Sequence, residues 1–290
     1  MPEQVSQRRP LRVVSGVVVI LISLLAAWEL YKIVGEQTTL LNFCKGKFCA
    51  RSDDRSMPHV WKVFQTLLEP PRRGGEESLL SLLLAAAWFT WREALAGFLV
   101  GTLGGFFLAV AFSRSALLER GLMPFVVGSQ TVPLLAIAPM VVIWSGQAGL
   151  PTIIPVAAIA AYLTFFPVTI NTLRGLRSPE ANAAELMKSF AASPRQTLWK
   201  LQVPAALPYL FTALRIAAAA SVVGAIVAEL PTGIQDGLGR ILLTFNQYFI
   251  TGPERLFASV VGSALLGIVF VSLVAILEKV VLPPKRRVVV

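Results

Sequence analysis

Charge is scarce in this chain. Of its 290 residues only 14% are charged, against about 25% in an ordinary soluble domain. Hydrophobic residues make up 55% and the mean hydropathy is +0.69. The deficit argues against an ordinary cytosolic enzyme, and the apolar richness excludes intrinsic disorder. Histidine is rarer still. A histidine-based zinc site or a histidine-activated nucleophile would have to use the single His59. The two cysteines, Cys44 and Cys49, stand in a C-x4-C spacing that is not a usual zinc pair, and no second pair follows. There is no G-x-x-x-x-G-K-[S/T] phosphate loop and no H-E-x-x-H motif, and aspartate is missing from every long apolar run. Nothing here hydrolyses ATP or calls for a metal or cofactor.

The charge that is present is mostly basic: 26 Lys and Arg against 16 Asp and Glu, a formal +10. A basic and strongly apolar chain points to a membrane before nucleic acid, because lysine and arginine collect on cytoplasmic loops. A helix needs about 20 apolar residues to cross about 30 Å of hydrocarbon. Six runs qualify, at about 13–34, 86–112, 122–145, 151–173, 207–229 and 257–281. The second carries Ala94, Gly97, Gly101, Gly104 and Gly105, a small-residue face suited to close helix contact. The third is interrupted by Pro124, Pro133 and Pro139. The fold class is therefore all-α integral membrane with six transmembrane helices.

Loop charge sets the orientation. With both termini cytoplasmic, fourteen basic residues fall inside and ten outside, seven of the ten in one long loop, 35–78. The short loops are the better guide, and Arg114, Arg120 and the basic C-terminus point inward. The chain divides into a cytoplasmic N-terminus with the first helix (1–34), an outer loop (35–85), a five-helix core (86–282) and a basic cytoplasmic tail (283–290). A signal peptide is the competing reading of the first run, with Ala26-Ala27 as the cleavage point; continuation to about Val34 favours a retained helix. In the outer loop Cys44 and Cys49 form either a local disulfide or two free thiols, and both readings stand. His59, beside Trp61 and Phe64, reads as a surface or interface residue, and Ser56 to Leu68 as a short amphipathic helix on the outer membrane surface.

The inner loop of 174–206 is patterned unlike the others. Ser178-Pro179-Glu180 reads as a helix start, with a capping serine, proline at the first helical position and glutamate at the positive end. Ser193-Pro194-Arg195-Gln196 repeats the device with Gln196 at the capping-box position. Two short helices are predicted, over 179–191 and 194–202. Met187 and Phe190 share a face with Ala183, or Phe190 with Leu186; Leu198 and Leu201 share one on the second helix. Pro204 is expected to stop the second helix, and Pro208 to lie near the start of the next span. Such apolar faces fold back on the chain, lie on lipid, or dock a soluble partner, and spacing does not choose.

The stretch from Ala181, ANAAELMKSFAASPRQTLWKLQVPAALPYLF, resembles the coupling loop of ABC importer permeases, whose pattern is E-A-A-x3-G-x9-I-x-L-P. Glu185 matches the glutamate, Leu186 and Met187 replace the alanines, Ala191 stands where glycine is usual, Leu201 replaces isoleucine, and Val203-Pro204 matches leucine-proline. Ser129 to Pro139 (SQTVPLLAIAP) and Gly237-Leu238-Gly239 resemble the nitrate/sulfonate/taurine branch, which also includes carriers of pyrimidine precursors and riboflavin. The likeness covers about 85–282. It implies a type I importer fold in a bacterial inner or plasma membrane, working as a pair of permease copies, most simply a homodimer. It implies a cytoplasmic ABC ATPase, docked at Glu185, Met187, Phe190, Ala191, Ser193, Leu201 and Pro204, and an outer solute-binding protein. No nucleic acid is implied; membrane lipid is. ATP binding and hydrolysis on the partner would rock the pair between two packings. Because glycine at the loop's turn permits a left-handed backbone, Ala191 predicts a bend shared with Ala192 or Ser193, or a longer first helix.

Ionisable and polar groups inside the spans are candidates for the solute path. Ser129, Gln130 and Thr131, beside Pro133, are the first choice, followed by Arg215 and by Glu229, which precedes the broken end Leu230-Pro231-Thr232-Gly233. Interhelical hydrogen bonding is the competing role for 129–131, and pairing at a helix terminus for Arg215. Arg92 and Glu93 are expected to snorkel to the outer interface. Two other functions compete: an integral-membrane enzyme, for which the chain lacks a paired acid and base, and an ion-coupled secondary carrier, for which it lacks mid-span aspartate. The segment 229–233 with Asn246-Gln247-Tyr248 leans the solute toward a heteroaromatic organic molecule over a small oxyanion.

Overall fold

The computed structural model describes residues 8–40, 54, 56–71, 77–230 and 236–282. Among them the ordered elements are all helical: α1 (Arg8–Leu40), α2 (Val60–Thr66), α3 (Leu79–Arg114), α4 (Ala116–Ser129), α5 (Leu134–Gln147), α6 (Ile153–Leu176), α7 (Ala181–Ser189), α8 (Pro194–Thr197), a π-helical turn (Leu198–Gln202), α9 (Val203–Glu229), α10 (Leu238–Gln247), a 3-10 turn (Phe249–Thr251) and α11 (Pro253–Val281). Cys44, Cys49, 231–233 and the tail 283–290 lie outside the described residues.

Four helices among the described residues are long and apolar enough to cross a membrane: Leu79–Arg114, Ile153–Leu176, Pro194–Glu229 and Pro253–Val281. The run read as the third span, interrupted by prolines, is two helices, α4 and α5, bent by 98°, which make a fifth crossing only if taken together. The six crossings predicted from the sequence are thus not matched one for one among the described residues; the run at 13–34 lies within α1. Pro133 is the reason for the break. It has no N–H to give the carbonyl four residues back, and its ring disfavours helical backbone at Val132. Pro124 and Pro139 lie inside helices without ending them.

The chain forms two compact units. The first comprises residues up to Leu82 together with Thr244–Ala258. In it the segment 54–71 is fastened to α1: Trp28 Nε1 donates to the Pro58 carbonyl at 3.2 Å, the Lys32 ammonium to the Met57 carbonyl at 2.6 Å, and the Val60 N–H to Glu29 at 2.7 Å. The Trp28 ring meets Phe257 edge-on at 5.4 Å.

The second unit comprises Leu83–Leu243 and the chain from Ser259. Its core is built from small residues. Ala94, Ala138, Ala213, Ala217, Ala218, Ala225 and Ala228 are buried with Phe98, Val156, Ile159, Val168, Val222 and Phe270. The glycine face of α3 lies against α6: a Cβ on Gly97, Gly101 or Gly105 would stand 2.6 Å from the backbone oxygen of Ala157, Ala161 or Phe165. Only hydrogen fits there, so the spacing read from the sequence does set this contact; Gly104, on another face, meets nothing. Alternation of small residues lets backbones approach where lipid supplies no hydrophobic drive between helices.

Candidate functional site

The loop 174–206 holds its two helices differently. α7 begins at Ala181 with Glu180 as N-cap and no side-chain cap. Ser178, expected to cap it, instead donates its hydroxyl to the Gly175 carbonyl at 2.8 Å and so closes α6. At the other end the Ala192 N–H reaches the Met187 carbonyl at 3.0 Å and the Ala191 N–H the Lys188 carbonyl at 2.8 Å. This pair is a Schellman closure, which places the residue after the C-cap in the left-handed region. That residue is Ala191, at φ +51°. The expectation of a shared bend or a longer helix is corrected: the alanine takes the glycine geometry alone, because the two closing bonds fix it there.

Ser193 then starts α8 with a complete capping box, accepting from the Gln196 N–H at 3.3 Å while its own N–H donates to the Gln196 side chain at 2.8 Å. The helix does not stop at Pro204. It passes through the π turn, where the Val203 N–H reaches back to the Leu198 carbonyl, and runs on to Glu229. The wider turn takes up the missing N–H and the ring of Pro204 without breaking the axis, which is why the predicted terminator fails. Leu198 is buried with Phe112, Val126, Leu173, Leu176 and Ala206. Leu201 and Pro204 are half-buried. On α7, by contrast, nothing is buried. Leu186 is 58% and Phe190 75% exposed; Glu185, Ala191 and Ser193 are exposed and Met187 is half-buried. The second segment therefore folds back on the chain and the first is left with an open apolar pair. Arg114, at the end of α3, donates to the Pro194 carbonyl at 2.5 Å, and Arg177 grips Glu119 with two hydrogen bonds.

Ser129, Gln130 and Thr131 sit at the α4–α5 bend, with Gln130 and Thr131 exposed. The hydroxyls of Ser129 and Thr131 donate to the carbonyls of Val126 (2.8 Å) and Gly128 (2.7 Å). The Ser129 carbonyl would bond the N–H of residue 133, which proline lacks; it accepts instead from the Val132 N–H at 3.3 Å and from the Tyr162 hydroxyl. Tyr162 has no signal in the sequence beyond a proline four residues after a helical serine, which takes away that carbonyl's usual partner.

The charged candidates carry bonds of their own. Arg215 pairs with Glu278 of α11, Nε to Oε2 at 2.7 Å. Glu278 was not foreseen. Glu229 is fully buried and accepts from Thr90 Oγ1 and from the Gly239 N–H, each at 2.7 Å, while Thr90 Oγ1 accepts from the Leu238 N–H at 3.0 Å. A Cβ on Gly237 would fall on the Glu229 carboxyl, and one on Gly239 would stand 2.7 Å from Glu229 Cβ. The Gly-Leu-Gly sequence is thus needed so that the start of α10 can close on a carboxylate. Arg92 is exposed over the Phe89 ring, but Glu93 is fully buried. The snorkelling expected of Glu93 is corrected, since its place on α3 points it into the core beside Ala94.

In the segment 54–71 the predicted amphipathic helix is shorter, Val60–Thr66, with Trp61 and Phe64 exposed and Val63 and Thr66 buried. His59 is not a plain surface residue. Its Nδ1 lies 2.9 Å from Glu29 and its ring stacks on Trp61 at 3.9 Å. Asp54 bridges Lys32 and Lys62 (2.6 Å to the latter), and hydrogen bonds from Lys32 first and Lys62 second hold its carboxyl down at about 2.

Comparison with known proteins follows the same lines. Residues 101–283 match the family described as binding-protein-dependent transport system inner membrane component. The chain is 36% identical over 187 residues to the formylaminopyrimidine transport permease protein ThiX of Halalkalibacterium halodurans, covering 63% of this chain and 70% of that one. It is 29% identical over 201 residues to the taurine transport system permease protein TauC of Escherichia coli, covering 66% and 71%. Among solved structures, an amino acid ABC transporter matches with a TM-score of 0.55 at 14% identity, over 70% of this chain and 95% of that one, a likeness of fold.

Proposed function

Because the chain belongs to the family of binding-protein-dependent transport system inner membrane components, we propose a use for each of its parts. It is the transmembrane permease subunit of an ABC importer, of the nitrate/sulfonate/taurine branch, and a multi-pass membrane protein rather than an enzyme. The secondary-carrier and membrane-enzyme readings fall away. Its family works with an ATPase and a solute-binding protein.

The ATPase docks on α7. The observation that carries this is the exposure of Leu186 and Phe190 on a helix fixed at its far end by the Schellman turn and the Ser193 capping box, while the neighbouring Leu198 is buried. Phe190 and Met187 enter the partner, Glu185 borders them, Ala191 and Ser193 set the turn, and Leu201 and Pro204 join the loop to the lever. That lever is the continuous helix Pro194–Glu229, about 54 Å long at 1.5 Å per residue. A push on the loop is delivered along it as rigid-body motion rather than absorbed in a hinge.

Two copies form the path as a homodimer, with both termini cytoplasmic and α1 retained. The break at 129–131 lines the path, since its exposed Gln130 and Thr131 face no partner within the chain's core. Arg215 and Glu229 brace the wall behind it. The solute is a heteroaromatic organic molecule, a reading supported by the likeness to a protein named for formylaminopyrimidine transport.

The test is Phe190→Asp and Glu185→Lys in the importer reconstituted with its ATPase and binding protein. Both variants should keep the permease folded, weaken ATPase co-purification and lose uptake. Wild-type uptake with undiminished ATPase binding in both defeats the docking assignment.

A further inference from the structure

Glu93 is the one fully buried acid in the second unit whose oxygens find no donor among the described groups. It sits on α3, one turn after Thr90, whose hydroxyl bonds the carboxyl of Glu229 on α9 at 2.7 Å. Two buried carboxylates cannot stand side by side without a cation between them. The hydrogen-bond pattern says which is charged. Glu229 receives the Thr90 hydroxyl and the Gly239 N–H, one on each oxygen, as a carboxylate requires. Glu93 receives nothing, as suits a neutral acid that has only its own O–H to give.

We propose that Glu93 and Glu229 form a proton-binding site, with the proton carried on Glu93 and donated to Glu229. This acid–carboxylate bridge closes α3, α9 and the start of α10 on one another through Thr90, Leu238 and Gly239. The other charges around it do not supply the counter-ion. Arg92 is next in sequence but exposed over Phe89. Asp236 is exposed and Arg240 half-buried at the start of α10. Neither α5 nor α6 carries a charge before Arg174, and α11 from Ser259 carries none before Glu278. The bridge is neutralised by a proton, and its loss at alkaline pH leaves two adjoining negative charges that push α10 away. The proton is thus a ligand of the closed arrangement, and alkaline pH weakens the bundle at this point.

The experiment uses the full-length permease in lipid nanodiscs and does not depend on the transport assignment. Infrared difference spectroscopy at neutral pH should show the C=O stretch of a protonated carboxyl that disappears in Glu93→Gln. Because glutamine keeps the shape and an N–H donor, Glu93→Gln should melt within a degree or two of wild type at neutral pH, and higher than wild type at alkaline pH. Glu229→Gln, which removes the anion that two donors need, should melt several degrees lower at every pH. No protonated-carboxyl band in wild type, a band that survives Glu93→Gln, an alkaline loss of stability unchanged by that substitution, or failure of Glu93→Gln to fold would each overturn the proposal.

Discussion

Ala191 holds the left-handed backbone with a Cβ in place, a conformation that costs an L-residue about 1–2 kcal/mol relative to glycine. Ala191→Gly should therefore steady the end of α7 by about 1 kcal/mol. Hydrogen exchange of the Ala192 amide, which closes the turn onto Met187, should slow by about five-fold. The opposite substitution reports on the buried carboxylate. Gly237→Ala puts a methyl on the Glu229 carboxyl and should cost about 1–3 kcal/mol, read as a lower melting temperature in nanodiscs, with Leu238→Ile as a milder control. At this scale the sequence was legible where a residue acts through its own backbone. The Ser193 capping box and the Gly97–Gly101 face follow from local spacing. Tyr162, Glu278 and the burial of Glu93 do not, because each depends on what another helix brings within about 3 Å.

Helices are joined here by ion pairs as well as by small-residue contacts. Arg215 and Glu278 link α9 to α11, with Glu278 buried and Arg215 half in contact with its surroundings. Arg215→Gln leaves a buried carboxylate without its partner and should destabilise by about 1–3 kcal/mol; the double change Arg215→Gln with Glu278→Gln should recover much of it. A melting series of the four proteins decides this. In the segment 54–71, Asp54 sits at about 2 against an ordinary 3.8. A depressed carboxyl stabilises above its unfolded value and loses that contribution as pH falls through its folded one. The fastening of 54–71 to α1 should thus be complete above 3.8 and released on acidification toward about 2. Pepsin cleavage of that segment, followed as pH is lowered, should begin at a higher pH in Lys32→Gln, since the ammonium that bonds the Asp54 carboxyl is gone. Element types and most boundaries were legible from apolar runs and caps. The errors lie at prolines: Pro133 breaks a run read as one span into two helices, while Pro204 is carried through by a π turn. A proline's effect depends on whether the surrounding turn can widen and on whether another group, such as the Tyr162 hydroxyl, takes the orphaned carbonyl.

As a whole the molecule is the permease subunit of an ABC importer, and in the proposal above it supplies a path and a lever while another chain supplies the energy. That division explains the low charge and the missing phosphate loop, and it makes uncoupling by Phe190→Asp the decisive measurement on the assembled importer. The amino-acid sequence by itself determined that this is a membrane-embedded helical protein, that the loop 174–206 carries two short helices, the second capped by Ser193, and which family it belongs to. Those features are local, written in hydropathy, capping residues and a spaced motif. Only the tertiary structure decided which of the two loop helices remains open, that Glu93 turns inward to meet Glu229, and that the glycines at 237 and 239 make room for a carboxylate. These depend on which side chains from distant parts of the chain converge, and burial of charge has no signature along the sequence until its partners are brought together.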